Sequence, residues 1–306
     1  MADVDGLIIV DKPEGITSHD VVDRARRLLR MKRIGHTGTL DPLATGVLVL
    51  LLGKATRLQR FFVDHDKEYL ARIRLGLATD TYDRTGIPSG PLIASNGVMQ
   101  EHLAQALDQW RGSREQLPPM FSAKKQDGVR LYHLARQGHD VPRKPVRITI
   151  DELELLEENG EVIHRNPDGT SDFSIRLRCS AGTYVRTLAH DLGQELGCGG
   201  HLIELRRAAV GDFRIQDAVR LEEFEQAVHQ GQARDCIIPL AHAPLAMPAL
   251  TLSADDVEKV RHGQAVIGDR ALDGVYCKLL DDRGDLIAIG EVVAGWRIIQ
   301  PRILLC

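Results

Sequence analysis

The run from Val47 to Leu52, "VLVLLL", is aliphatic throughout and is closed by Gly53. A strand with no polar face needs cover on both sides, so it belongs inside a sheet with layers above and below it. It is far too short to cross a bilayer, and the polar start "MADVDG" has no signal-peptide character. These features predict a cytoplasmic protein with no membrane partner. Just ahead of the run, in "GHTGTLDPLATG", stands a single acid, Asp41. Burying an unpaired carboxylate is costly, so an acid in such a setting needs a partner or a task.

The remaining patterning supplies the layers. "GLIIVDKPEG" reads as a strand closed by Pro13 and Gly15. Thr17 or Ser18 then caps a helix whose apolar stripe is Val21, Val22, Ala25, Leu28 and Leu29, with arginines opposite. "EYLARIRLGLATD" reads as a strand, and Glu101 to Trp110 as a helix with Leu103, Ala106, Leu107 and Trp110 inward. "FSIRLRCS" alternates as a half-buried strand, and "GTYVRTLAHDLGQELG" follows as a helix stopped by Gly197. Strands interspersed with helices predict an α+β fold around a mixed or antiparallel sheet. After Pro239 an uncharged, proline-containing linker leads into short β-like runs, which predicts a separate small β domain over 246–306 behind a main domain over 1–245.

The formal charge of -4 argues mildly against a polyanionic partner, but it hides a segregated distribution. "RARRLLRMKR" at 24–33 holds six basic residues and no acid. A second basic stretch spans 111–147, while acids concentrate in "DELELLEENGE". The segment around 115–147 mixes a proline pair, a glycine turn and a basic exit, which suits an exposed insertion. The five cysteines show neither a CxxC nor a nearby histidine pair, so no disulfide framework or zinc site is indicated. Phosphate loops, GxSxG and HExxH are likewise missing. Pro42 restricts Asp41 to extended backbone, and Gly38 and Gly46 allow a tight turn, so the carboxylate is aimed by stiff local geometry; an acid capping its own turn fits the same residues.

"GHTGTLDPLATGVL" resembles the signature of the TruB family of tRNA pseudouridine synthases. "VDKPEGITSHDVV", "KEYLARIRLGLATDTYDRTG", "QLPPMFSAKKQDGVRLYHLARQG" and "CSAGTYVRTLAHDLGQELGCGGHLIELRRAAVG" resemble further blocks of that family in its order, covering most of residues 6 to 215. The tail is similar to the PUA-type RNA-binding module often attached to such enzymes. The resemblance implies isomerisation of uridine 55 in the tRNA T loop, with tRNA gripped through its T arm. It implies Asp41 as the catalytic carboxylate, Tyr69 stacked on the target base, Tyr184 and Arg186 lining the pocket, Leu205 as an apolar wall and His36 against the RNA. It implies no cofactor, no metal, no obligate protein partner and a monomer.

The chemistry suits these residue types. The C1′ to N1 bond breaks, the uracil turns, and C1′ rejoins at C5. Asp41 can attack as a nucleophile or act as a base, and attack at C1′, attack at C6 and a glycal route all remain open. Arg186 is expected to keep Asp41 ionised despite burial. Tyr69 is also a candidate for receiving the C5 proton. Two rival readings stand beside this one: a guide-RNA-dependent relative acting on other RNAs, and an RNA chaperone, which folds tRNA with an idle pocket or as a second activity of the enzyme.

Overall fold

The structure, a computed structural model, describes residues 4–121, 125–126, 129–130, 141–268, 275–293 and 297–306, with backbone only at 125–126 and 129–130. The centre of the basic insertion, including Lys124 and Arg136, lies outside the described residues.

A 12-stranded sheet dominates. Its long strands are β1 (Gly6–Lys12), β2 (Thr45–Leu52), β3 (Lys67–Leu75), β4 (Gly112–Gln116), β5 (Val146–Leu156), β6 (Ser171–Cys179) and β7 (Gly200–Val210). They lie in the order β1-β2-β7-β3-β6-β5-β4, antiparallel except where β2 and β7 run parallel. The class is the predicted one: a mixed sheet flanked by helices.

The aliphatic run occupies β2 and is covered on both faces. Leu48, Leu50 and Leu52 join Val21, Val22, Ala25 and Leu29 of the helix Ser18–Leu29. Val47, Val49 and Leu51 face the opposite layer, with Leu58, Phe62 and Phe213. All six residues of the run are fully buried, and each such side chain stabilises the fold by roughly 1.5–3 kcal/mol. Thr17 caps the helix in a capping box with Asp20, which fixes where the chain turns after β1.

Several expectations are corrected. Asp41, expected to be buried, sits in the loop that leads into β2 and is only partly covered. Its side chain is 35 % exposed, so it borders an opening. The expected alternation holds from Ile175 to Cys179, but Ser171 to Ile175 of β6 are buried consecutively, Asp172 being bonded by Arg74 at 2.7 and 2.8 Å. The two ends of the expected insertion over 115–147 belong to the sheet, where Glu115 and Gln116 pair with Arg147 and Val146.

The tail forms its own five-stranded sheet, from β8 (Ala249–Thr251), β9 (Val266–Ile267), β10 (Tyr276–Leu280), β11 (Leu286–Val293) and β12 (Ile298–Leu304), ordered β8-β10-β11-β12-β9. It also contains a helix, Ala254–Arg261, that the β-like patterning did not predict. The tail is less separate than expected. Leu286, Ile289 and Leu305 share an apolar cluster with Leu7, Val49 and Phe62, and Tyr276 meets Phe61 edge-on at 5.4 Å. Among the described residues no helix is long and apolar enough to cross a membrane.

Candidate active site

The loop from Thr37 to Ala44 is pinned along its length by groups from four other segments. Leu40 donates its backbone N–H to Ser18 Oγ at 2.8 Å, and Gly15 donates to the Pro42 carbonyl at 2.8 Å. Arg207 is buried and donates to the carbonyls of Val47 at 2.7 Å, Gly38 at 3.0 Å and Thr39 at 3.4 Å. The ammonium of buried Lys12 reaches the carbonyls of Ile16, Pro13 and Pro42. Burial pushes this lysine down to about 8, with nearby Asp41 acting in the opposite direction. Gly46 is needed where β2 meets β7: its φ is +101°, and a Cβ there would lie 2.2 Å from the Arg207 carbonyl oxygen. The backbone under Asp41 is therefore fixed from both ends.

Arg186 meets Asp41 across the cavity. Its Nε lies 2.9 Å from Asp41 Oδ2, and the guanidinium also donates to the carbonyls of Phe121 at 2.8 Å and Thr81 at 3.2 Å. A second carboxylate, Asp83, lies 3.4 Å from Arg186 Nη1. Asp83 is buried and accepts from the Thr81 hydroxyl and from the Thr85 hydroxyl and N–H at 2.6–2.9 Å. One cation thus serves two acids. Burial pushes the Asp41 carboxyl above the usual carboxylate range and Asp83 pushes the same way, while Arg186 and Lys12 oppose them. Arg186, expected to keep Asp41 ionised despite burial, sits beside it, but its charge is shared with Asp83 and burial outweighs its pull.

His36, Asp41, Tyr69, Tyr184, Arg186 and Leu205 all line one cavity of about 390 Å³. Tyr69 is buried on β3, and burial pushes its phenol up, so it is neutral near pH 7; the nearby charge of Arg207, and to a lesser degree a hydrogen bond from it, oppose that shift. Tyr184 precedes the helix Val185–Glu195 and is held by a reciprocal pair of bonds: its N–H donates to Gln116 Oε1 at 2.8 Å, and Gln116 Nε2 donates to its carbonyl at 3.0 Å. Leu205 supplies an apolar wall from β7. His36 Nδ1 accepts from the Gly38 N–H at 3.3 Å, and the Gln59 side chain holds its carbonyl at 3.1 Å. The cavity therefore combines a paired acid, two aromatic rings and an apolar wall, a set suited to holding a planar polar base against a carboxylate.

Four residues escaped the sequence reading: Lys12, Lys67, Asp83 and Arg207. Lys67 lines the cavity and donates to the carbonyls of Val63 and His65. For Arg207 a signal existed. Adjacent residues on a strand point to opposite faces, so one member of the "RR" pair in β7 had to turn inward. Arg206 pairs with Asp11 at 2.7 Å and stays partly exposed, whereas Arg207 is the buried one.

Two family models match the chain. One is described as TruB family pseudouridylate synthase (N terminal domain) and covers residues 26–185; the other, described as tRNA pseudouridylate synthase B C-terminal domain, covers 186–243. The cavity residues fall on both sides of that junction, and the five-stranded tail lies beyond both models. Among curated relatives, tRNA pseudouridine synthase B of Solibacter usitatus is 41% identical over 293 residues, covering 95% of this chain and 96% of that one. The protein of the same name from Escherichia coli is 37% identical over 317 residues, covering 99% and 96%. A chain in the crystal structure of a Cbf5–Nop10–Gar1 complex superposes with a TM-score of 0.72 at 26% identity, covering 98% of this chain and 85% of that one.

Proposed function

We propose, for a chain that belongs to the TruB family of pseudouridine synthases, that it isomerises uridine 55 in the T loop of tRNA, without a guide RNA and with Asp41 as the catalytic carboxylate. The observation that carries this reading is the Asp41–Arg186 pair at 2.9 Å, set in a cavity lined by Tyr69, Tyr184 and Leu205. Curated relatives that match nearly the whole chain carry the name tRNA pseudouridine synthase B, which favours tRNA as the substrate.

A uridine inside a folded loop must leave its stack to enter such a cavity. Stacking on an aromatic ring returns about 1–3 kcal/mol per base, and Tyr69 and Tyr184 are placed to supply it. Asp41 then acts on the sugar or the base, while Arg186 holds its Oδ2 and fixes the direction of the other oxygen. Once C1′ has moved from N1 to C5, the C5 hydrogen leaves as a proton and N1 gains one, so the reaction is redox-neutral and loses no atom. Neutral Tyr69 serves as the relay for that transfer, taking the proton only as it passes its own onward. The arginine-rich face of the helix Ser18–Leu29 positions phosphates, and loop shape provides selectivity.

The test is to incubate the chain alone with an unmodified tRNA transcript and with an isolated T-arm hairpin, then map pseudouridine by position. Both RNAs are expected to be modified at the T-loop uridine. An absolute need for a guide RNA or a second protein would favour the partner-dependent alternative. Tight tRNA binding with no pseudouridine formed would favour the chaperone.

A further inference from the structure

Arg186 depends on a short loop, Thr79 to Gly86, that contributes both the Thr81 carbonyl and the Asp83 carboxylate to its guanidinium. Within that loop Tyr82 has φ +65°, a left-handed conformation that a bulky side chain adopts at a cost. Glycine or asparagine would occupy it more easily. Tyr82 instead stacks its ring on His190, with centroids 3.8 Å apart and planes 15° from parallel. His190 lies one helical turn beyond Arg186 on Val185–Glu195, so the same face of that helix carries both the cation and the ring that grips the loop.

His190 has no other evident duty. Its Nδ1 is buried with no hydrogen-bond partner among the described residues, and burial alone lowers its pKa, which favours the neutral ring. The loop is further tied to β7, where the Leu202 N–H donates to the Tyr82 carbonyl at 3.0 Å and Arg84 donates to the Leu202 carbonyl at 2.9 Å. These bonds fix the loop's backbone on the sheet. The stack fixes its distance from the helix.

We propose that the Tyr82–His190 stack is a positioning device: it locks the Asp83 loop to the helix of Arg186 and so holds Arg186 in register with Asp41. Neither ring lines the Asp41 cavity, so neither is a catalytic residue. The inference rests on the reading of Asp41 as the reacting carboxylate. The groups that set the charge of Asp41 are Arg186 from the helix, Asp83 from this loop and Lys12 from β1, with Tyr69 facing it from β3. A slack loop lets Asp83 and Arg186 draw away from Asp41 together; the cation is the stronger of these two opposed influences, so Asp41 is left less well paired and takes up its proton at higher pH.

The test compares His190→Ala, which keeps a good helix former, with Tyr82→Asn, which tolerates positive φ without a ring, and Tyr82→Phe, which retains the stack. His190→Ala and Tyr82→Asn are expected to bind tRNA within about twofold of the parent yet slow single-turnover conversion by about tenfold to a hundredfold, as small misplacements of reacting groups do. The acid limb of their pH–rate profiles is expected to move upward, and Tyr82→Phe to restore both rate and limb. In parallel, the Asp41 carboxyl carbon, assigned through Asp41→Asn, is titrated by NMR in the protein without RNA. Its midpoint is expected to rise in the two stack-less variants whether or not uridine is converted. Absence of pseudouridine with the parent chain would overturn the reaction but not this device. An unmoved Asp41 midpoint in folded His190→Ala and Tyr82→Asn would overturn the device but not the reaction.

Discussion

In the proposed reaction Asp41 carries a conflict that its sequence neighbours only hint at: it is needed as a charge and placed where charge is disfavoured. Burial and Asp83 raise its pKa against the pull of Arg186, so the single-turnover rate is expected to climb with pH through a midpoint above the usual carboxylate range. A pH–rate profile with its acid limb in or below that range would contradict this. The same shift sets the stability sign. A carboxyl with a raised folded-state pKa binds its proton more tightly in the folded protein, so its contribution falls as pH rises from the unfolded value to the raised one. Asp41→Asn is therefore expected to melt higher than the parent at neutral pH, with the gap closing as pH drops below the ordinary carboxylate range. That variant is also expected to lose roughly ten-thousandfold or more in conversion while still binding tRNA. For Tyr69 the relay role predicts that Tyr69→Phe, which keeps the ring and deletes the oxygen, slows single-turnover conversion by about a hundredfold or more at near-normal binding. Tyr69→Leu is expected to weaken binding as well, and parent-like rates with Phe would leave Tyr69 as a stacking surface alone. The positions of Asp41, Arg186 and the two tyrosines were legible through motif resemblance. Asp83 and Lys12 were not, because they act through backbone carbonyls and a loop fold that no local pattern announces.

At the level of elements, the aliphatic run predicted a doubly covered strand, and β2 is one. What it could not predict was the partner: β2 runs parallel to β7, more than a hundred and fifty residues away, through Thr45 and Gly46 opposite Arg206 and Arg207. That pairing places the Arg207 side chain across the Asp41 loop. It leaves no room at Gly46, where positive φ and a 2.2 Å approach to the Arg207 carbonyl exclude any side chain. Gly46→Ala is expected to cost at least about 2 kcal/mol in urea unfolding, since both strain and a backbone clash act there. Unchanged stability would mean that the β2–β7 contact is looser than drawn. The tail helix Ala254–Arg261 illustrates the opposite limit of pattern reading. It buries only Val257 and Val260, so its periodicity was too weak to stand out among short β-like runs, although Ser253 caps it on Asp256.

Across the whole molecule, the five-stranded tail and the large sheet meet through a shared apolar cluster, so removing the tail also removes part of the main core. Truncation before Ala249 removes Leu286, Ile289 and Leu305 from the shared cluster and takes the Tyr276 ring off Phe61. The shortened chain is expected to melt lower and bind tRNA more weakly, yet to convert bound RNA at a near-parent single-turnover rate well below its melting temperature. Loss of the chemical step in a folded truncation would mean that the tail helps to shape the cavity. In the proposed reaction one cavity, built around Asp41, isomerises the T-loop uridine without help. This is tested most directly by incubating the purified chain and its Asp41→Asn variant, at matched RNA occupancy, with a single unmodified tRNA transcript and mapping pseudouridine at nucleotide resolution. Stoichiometric pseudouridine is expected at position 55 with the parent and none with Asp41→Asn. Pseudouridine at that position with the variant, or none there with the parent, would contradict it.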